Sequence, residues 1–386
     1  MTGRRFFWGA LLIVFGCGSS PRPPAEPNSA AKARARRPDS PYVAALHAKL
    51  GAESELSLVP SLQAAAEDAL TAAGTAGAVV ALDPNDGSVL ALYSVPGDRG
   101  DPLLTPALPA STFKSFAALA ALRTGVITPE TVLTCNGGYD FEQRLHLSCP
   151  LQHGPENVAH ALAVSCNAFF YEVGDKLDAA ALGALASEVG LGAATGSELR
   201  DPPGVIPPPP SPGAPRTARP LMNAIGHGDY LVTLLGLARA YAAIANGGCL
   251  VELHVVRGVR GRDGALTPAA HRPPLKLPLE PASLTLVRSA LTDAVAADYG
   301  RAHSLALAGY PFAGKTGGAD SPPRGHPDDE GDGKEQDSWF VGFAPPEHPT
   351  LLVAARLERV PESKPLGAGR VVSKIFTTLA PTFPQR

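Results

Sequence analysis

The chain has 386 residues, 45% of them hydrophobic, and a formal net charge of -3. This length and apolar content support a large core, as one two-part domain or two modest ones. The near-neutral charge removes the electrostatic case for a nucleic-acid partner.

At the N-terminus, Arg4 and Arg5 precede an apolar run from Phe6 to Gly16 that is too short to cross a bilayer as a helix. The run ends Val14-Phe15-Gly16-Cys17, which resembles a bacterial lipoprotein signal. Residues 1–17 are therefore expected to be a secretory signal, with Cys17 lipidated and the protein held at a membrane of the cell envelope, in the periplasm. An uncleaved signal anchor is the alternative, and the short apolar run argues against it. Residues 18–55 are rich in Pro, Ala and Arg without a hydrophobic period, and are expected to form a disordered tether. Its basic cluster (Lys32, Arg34, Arg36, Arg37) suits either a solvated linker or contact with anionic lipid or wall polymer. Residues 56–386 are expected to form the folded domain.

Within that domain, Gly77 to Leu92 reads as two apolar runs around a Pro-Asn-Asp-Gly turn, a hairpin signal. Ser111-Thr112-Phe113-Lys114 then opens a run, Phe116 to Leu122, that is apolar nearly all round, as in a buried helix. Pro109 lies ahead of it and Gly125 marks a stop. A spacing of three puts Ser111 and Lys114 on one helical face. A serine hydroxyl needs a base to become a nucleophile, and burial beside a second cation lowers a lysine pKa toward that task. At a helix N-terminus, free N–H groups favour a developing oxyanion.

Ser165-Cys166-Asn167 follows, where Ser165 can relay a proton and Asn167 offers an amide donor and acceptor to a peptide backbone. Lys315-Thr316-Gly317-Gly318 comes later, and Lys315 is the obvious second cation. Taken singly, each stretch has a plain alternative: a snorkelling helix lysine, a pair of N-cap residues, and an edge strand carrying a protective charge. A Ser-x-x-Lys tetrapeptide arises by chance roughly once in a chain this long, so the ordered combination carries the signal.

That combination resembles the penicillin-binding proteins and their β-lactamase relatives, serine acyl-transferases with these three motifs. The likeness extends from about Leu56 to the C-terminus. It includes the hairpin at 77–92, the segment Leu221 to Gly248, and the strand Ser338-Trp339-Phe340-Val341-Gly342-Phe343-Ala344-Pro345. It implies an α/β (α+β) fold: a five-stranded antiparallel sheet flanked by helices, plus a mainly helical subdomain over 111–250. Strands are expected near 77–83, 88–95, 311–318, 338–344 and 350–358, with a terminal amphipathic helix near 367–379. It also implies a D,D-transpeptidase that cross-links peptidoglycan stem peptides through an acyl-enzyme on Ser111 and binds β-lactams. Lys114 would be the base and Ser165 the relay. Asn167, Lys315, Thr316, Gly317 and Gly318 would bind substrate. No cofactor is implied, and a separate glycosyltransferase is an expected partner.

One departure concerns Gly318, where the family usually has a threonine or serine whose hydroxyl helps hold the substrate's terminal carboxylate. A backbone N–H at 318 can still complete an oxyanion hole. A D,D-carboxypeptidase, a β-lactamase of the type that also uses Ser-Thr-Phe-Lys, and a non-turning-over sensor or scaffold stay open as alternatives.

Four cysteines follow Cys17. Cys135 and Cys149 flank a Gly-Gly-Tyr turn region, and a disulfide between them would suit an oxidising compartment. A metal site using His153, Asp140 or His146, or plain free thiols, are the rival readings. Cys166 is expected to pack as a small residue. Two loops complete the reading, a proline-dense one over Asp201 to Pro220 and an acidic, glycine-rich one over Asp320 to Asp337 at the rim of the cleft.

Overall fold

The computed structural model describes residues 40–321, 335–364 and 366–379. The expected signal at 1–17, Cys17, and most of the expected tether lie outside the described residues. The rest of that tether is folded, which moves the domain's start ahead of residue 56. Helix α1 (Pro41–Leu50) is capped by Ser40, whose hydroxyl accepts from the Val43 N–H and donates to Glu67 at 2.6 Å. Leu46 is buried, and Tyr42 meets Tyr93 edge to face with centroids 5.1 Å apart. The short strand Ser54–Leu56 pairs with Val256–Arg260.

Five antiparallel strands form the central sheet: β1 (Gly77–Leu82), β2 (Val89–Val95), β3 (Ala313–Asp320), β4 (Glu335–Ala344) and β5 (Leu351–Pro361), in the spatial order β3-β4-β5-β1-β2. β1 is buried at every position because both faces of the sheet are covered. Alternation along each strand divides its side chains between two cores. Val79, Ala81, Phe340, Val353 and Ala355 meet helices α2 (Pro60–Thr71) and α10 (Gly367–Leu379). Ala78, Val80, Trp339, Val341, Phe343 and Ala354 meet the helical part.

The amphipathic pattern of α10 buries Val371, Val372, Ile375 and Phe376 on one stripe. Full burial of such side chains contributes about 1.5–3 kcal/mol each. The helix starts on the sheet itself, where the Ser338 hydroxyl accepts the Ala368 N–H at 3.1 Å.

The helical part contains α3 (Lys114–Thr124), α4 (Val158–Val164), α5 (Asn167–Lys176), α6 (Ala179–Glu188), α7 (Arg219–Ala224), α8 (Leu234–Ala245) and, against the sheet edge, α9 (Pro281–Ala296). α3 is buried from Lys114 to Ala121, as its all-round apolar pattern predicts. It ends at Gly125, whose left-handed φ of 72° closes the helix. Small two-stranded ribbons occupy 133–156 between α3 and α4.

The acidic stretch expected to be a loop from Asp320 to Asp337 is strand at both ends. Asp337 is buried in β4 because Arg99 (2.6 Å) and Arg356 (3.0 Å) come from other segments to pair with it. The proline-dense stretch before Pro220 is extended coil as expected, touching the rest through a bridge between Val205 and Leu231.

Candidate active site

Ser111 does not lie on the α-helix proper. It sits in a 3-10 turn (Ala110–Phe113) that leads directly into α3. Ala110 has a left-handed φ of 51°, an uncommon and costly conformation for alanine that presents the serine at the turn's start. The Ala110 N–H donates to the Gly226 carbonyl at 3.0 Å. Behind the turn, Tyr241 donates to the Thr112 carbonyl at 2.7 Å, and the Thr112 hydroxyl donates to the Pro109 carbonyl at 2.5 Å. Strand β3 runs against this turn so closely that a Cβ at Gly317 would be 3.0 Å from Thr112 Cγ2. Only glycine fits there without displacing a neighbour.

The second motif is the junction between α4 and α5. Ser165 closes α4 with a left-handed φ of 62°, which turns its carbonyl and hydroxyl toward the lysines. Neither Ser165 nor Asn167 caps α5, because Cys166 does so by accepting the Phe169 N–H. Lys114 Nζ, fully buried, donates to the Ser165 carbonyl at 2.7 Å and to Asn167 Oδ1 at 2.6 Å, and lies 3.5 Å from Ser165 Oγ. From the opposite side, Lys315 Nζ donates to Ser165 Oγ at 2.8 Å and to the Thr316 carbonyl at 3.2 Å. One hydroxyl therefore stands between two amines. Among the described residues, no hydrogen bond joins Ser111 Oγ to Lys114, and no carboxylate pairs with either lysine. Catalytic hydrogen bonds are often longer before substrate binds.

The electrostatics follow from this crowding. Burial pushes Lys114 down to about 8, against the opposing pull of Cys166, Cys149 and Glu156. Lys315 falls well below the usual lysine range, first through burial and then through the charges of Lys114 and Arg301. Two adjacent cations without carboxylate partners favour loss of a proton.

Ser111, Ser165, Asn167, Thr316, Gly317 and Gly318 line one cavity of about 270 Å³. Among the described residues none that line the cavity is acidic, while Arg301, His227 and Gln336 contribute polar side chains. His227 joins the loop after α7 to the edge strand, with Nε2 3.0 Å from the Gly318 carbonyl oxygen and Nδ1 3.0 Å from that of Ile225. In a strand of this kind, N–H and C=O of one residue point the same way. The Gly318 N–H therefore also faces the cleft, away from β4.

Sequence reasoning did not single out Arg301, His227 or Gln336 as site residues. His227 was visible only within the resemblance. Arg301 and Gln336 arrive from the segment after α9 and from β4, with no local motif to mark them.

The cysteines correct the expected pairing. Cys135, Cys149 and Cys166 are free thiols, so Cys135 and Cys149 form no disulfide. Instead they converge with His153 and Cys166, and the four ligand atoms lie within 4.8 Å of one another. Cys149 Sγ is 3.9 Å from Cys166 Sγ and 3.8 Å from His153 Nδ1. Tetrahedral zinc with three sulfurs and a nitrogen needs edges of about 3.6–3.8 Å, so this donor set fits. Cys166, expected to pack as a small residue, thus lies beside Cys135, Cys149 and His153 of the rival metal reading. Hydrogen bonding between the two thiols lowers Cys149 and raises Cys166. Asp140 and His146 pair with each other at 2.7 Å on an exposed ribbon, apart from this set.

The chain belongs to the penicillin binding protein transpeptidase domain family, which matches residues 77–379. It is 29% identical to "Peptidoglycan D,D-transpeptidase PbpA" of Mycolicibacterium smegmatis over 357 residues, covering 80% of this chain and 67% of that one. It is 28% identical to "Peptidoglycan D,D-transpeptidase MrdA" of Acinetobacter baumannii over 343 residues, covering 79% of this chain but only 50% of that relative. The crystal structure of Pseudomonas aeruginosa PBP2 in complex with WCK 5153 superposes with a TM-score of 0.70 at 26% identity, covering 83% of this chain and 77% of that one. The expected family, sheet and helical subdomain are therefore all borne out.

Proposed function

We propose that this chain is a serine D,D-transpeptidase that cross-links peptidoglycan stem peptides and is acylated by β-lactams. The observation that carries the reading is the Ser165 hydroxyl held between Lys114 and Lys315 in the cavity that Ser111 lines. Neutral Lys114 takes the proton of Ser111 as its oxygen attacks the carbonyl of the penultimate D-alanine. The N–H groups of Ser111 and Gly318 hold the oxyanion. Collapse breaks the peptide bond, and Ser165 passes a proton, resupplied from the lysines, to the departing amine of D-alanine. The acceptor amine of a second stem peptide then attacks the acyl-enzyme and regenerates Ser111. Asn167 and the edge of β3 align the donor peptide by main-chain hydrogen bonds. Export, lipidation at Cys17 and partnership with a separate glycosyltransferase complete this reading.

The test is intact-mass analysis of the protein with a penicillin, followed by an assay on stem peptides with an acceptor amine. A single adduct in wild type, absent in Ser111→Ala, is expected, together with cross-linked product. Drug loss without an adduct would mean a β-lactamase instead, and product from water alone a carboxypeptidase.

The thiol–imidazole cluster supports one addition. Cys135, Cys149, Cys166 and His153 would hold a Zn²⁺ ion. When bound, the metal would act as a structural cross-link between the 133–156 ribbons and the α4–α5 junction, without touching the reacting atoms. Elemental analysis of protein purified without chelator should find close to one zinc per chain, falling in Cys135→Ser. A zinc-free protein whose melting temperature ignores chelator would leave the cluster as thiols.

A further inference from the structure

We infer that Gln336 has taken over the place and the task of a side chain at position 318, donating a hydrogen bond to the terminal carboxylate of the donor peptide. This inference rests on the transpeptidase reading for the substrate's identity.

Space gives the first argument. A Cβ built on Gly318 would lie 2.3 Å from Gln336 Oε1, 3.3 Å from its Cδ and 4.0 Å from its Nε2, so a half-turn of the terminal amide brings its N–H donors to the same place. The volume that any side chain at 318 would enter is thus already filled by the Gln336 amide. Register explains how it gets there. Gly318 stands opposite Ser338 and Asp320 opposite Gln336 in the β3–β4 ladder. Gln336 reaches diagonally across one step of that ladder, a distance within range of a long side chain.

Chemistry gives the second argument. Gln336 lines the same cavity as Ser111 and Thr316. Its amide makes no hydrogen bond with another described residue, so two N–H donors and one acceptor remain for a ligand. Among the described residues no acidic side chain lines the cavity to oppose an anion, and Arg301 stands in its wall. A carboxylate there would meet the Gln336 amide and the Thr316 hydroxyl, with the guanidinium of Arg301 adding charge. A glycine at 318 is therefore an exchange of one donor for another.

The arrangement predicts that a side chain at 318 must turn the flexible end of Gln336 out of its place. Threonine at 318 collides with Gln336 as it stands, yet should fit when residue 336 is alanine.

The experiment uses the Ser111→Ala protein, which binds without reacting. N-acetyl-D-alanyl-D-alanine and its C-terminal amide are titrated by NMR. The parent should prefer the acid, and Gln336→Ala should lose that preference by about 10- to 100-fold, the size of one hydrogen bond to a charged group. Binding of the amide should be unchanged, which separates the effect from misfolding. Gly318→Thr combined with Gln336→Ala should restore the preference, while Gly318→Thr alone should not improve on the parent. An unchanged preference in Gln336→Ala, equal losses for acid and amide, or no preference in the parent would each overturn the proposal. The penicillin adduct on wild type is read separately. Its presence beside a failed titration would sink the Gln336 assignment and leave the acyl-transfer reading standing.

Discussion

Two buried polar clusters, both tied to β4 or its neighbour β3, differ in how their charges are matched. In one, Arg99 and Arg356 face Asp337 and Glu358, with four contacts between 2.6 and 3.2 Å. Every cation has carboxylate partners. Burial opposes ionisation of Asp337, but the Arg99 hydrogen bond and the charges of Arg356 and Arg99 hold its carboxyl below the usual range. In the other, Lys114 and Lys315 share one hydroxyl and have no carboxylate partner among the described residues. In the matched cluster the arginines hold Asp337 ionised, while burial raises the Glu358 carboxyl against the pull of Arg356 and Arg99; the cluster fastens strands to the 98–105 segment, where Arg356 also donates to the Thr105 carbonyl at 2.8 Å. The unmatched one surrenders protons, which is what a base must be able to do. Burial of charge thus has two outcomes in this molecule, decided by whether a counter-charge is supplied.

The contrast breaks most completely at Ser111→Ala, which should abolish the penicillin adduct by mass spectrometry while leaving both clusters in place. Next, Lys114→Met should slow acylation by about 10²–10⁴-fold, the range for losing a general base. It should leave the melting temperature equal or raised, because an unpaired buried cation is removed. Asp337→Ala should do the reverse. Removing the partner of buried Arg356 should cost about 3–5 kcal/mol of stability, read by denaturant titration, with acylation by the remaining folded protein preserved. Loss of acylation in folded Asp337→Ala, or of stability in Lys114→Met, would erase the distinction.

A finer test is pH. Lys114 must be neutral to accept the serine proton, and its folded pKa is about 8. The acylation rate should therefore rise with pH and level off above about 8. The midpoint should be the same in Asp337→Ala, since that cluster does not face the lysines. A rate that falls through this window would mean that the protonated form of Lys114 is the working one.

Much of this was legible from the chain alone, for identifiable reasons. The hairpin at 77–95 and the buried helix after Lys114 are carried by local periodicity and turn chemistry, so their bounds moved by only a residue or two. Helix α10 was readable because its apolar stripe is strong. What escaped depends on distant partners. α1 follows a Pro- and Arg-rich stretch and buries Leu46 only because Tyr93 and Glu67 meet its first turn. Ser40-Pro41 is a cap signal that composition masked. Asp337 read as loop because acidity outweighed the strand pattern, with its arginines lying far away in sequence. The metal-type cluster has irregular spacing, since the ribbons and the α4–α5 junction assemble it rather than one loop.

The edge of β3 has a consequence for how this protein keeps to itself. An open strand edge normally offers alternating donors and acceptors, and so invites another chain to zip onto it. Here the outward carbonyls of Thr316 and Gly318 are already engaged, by Lys315 and His227. The edge is left with donors but few acceptors. A strand from a second molecule would find only half of its hydrogen bonds answered, whereas a ligand offering carbonyl oxygens would lose nothing. The lysine of the third motif and the histidine beside it thus leave this edge a poorer partner for a second strand.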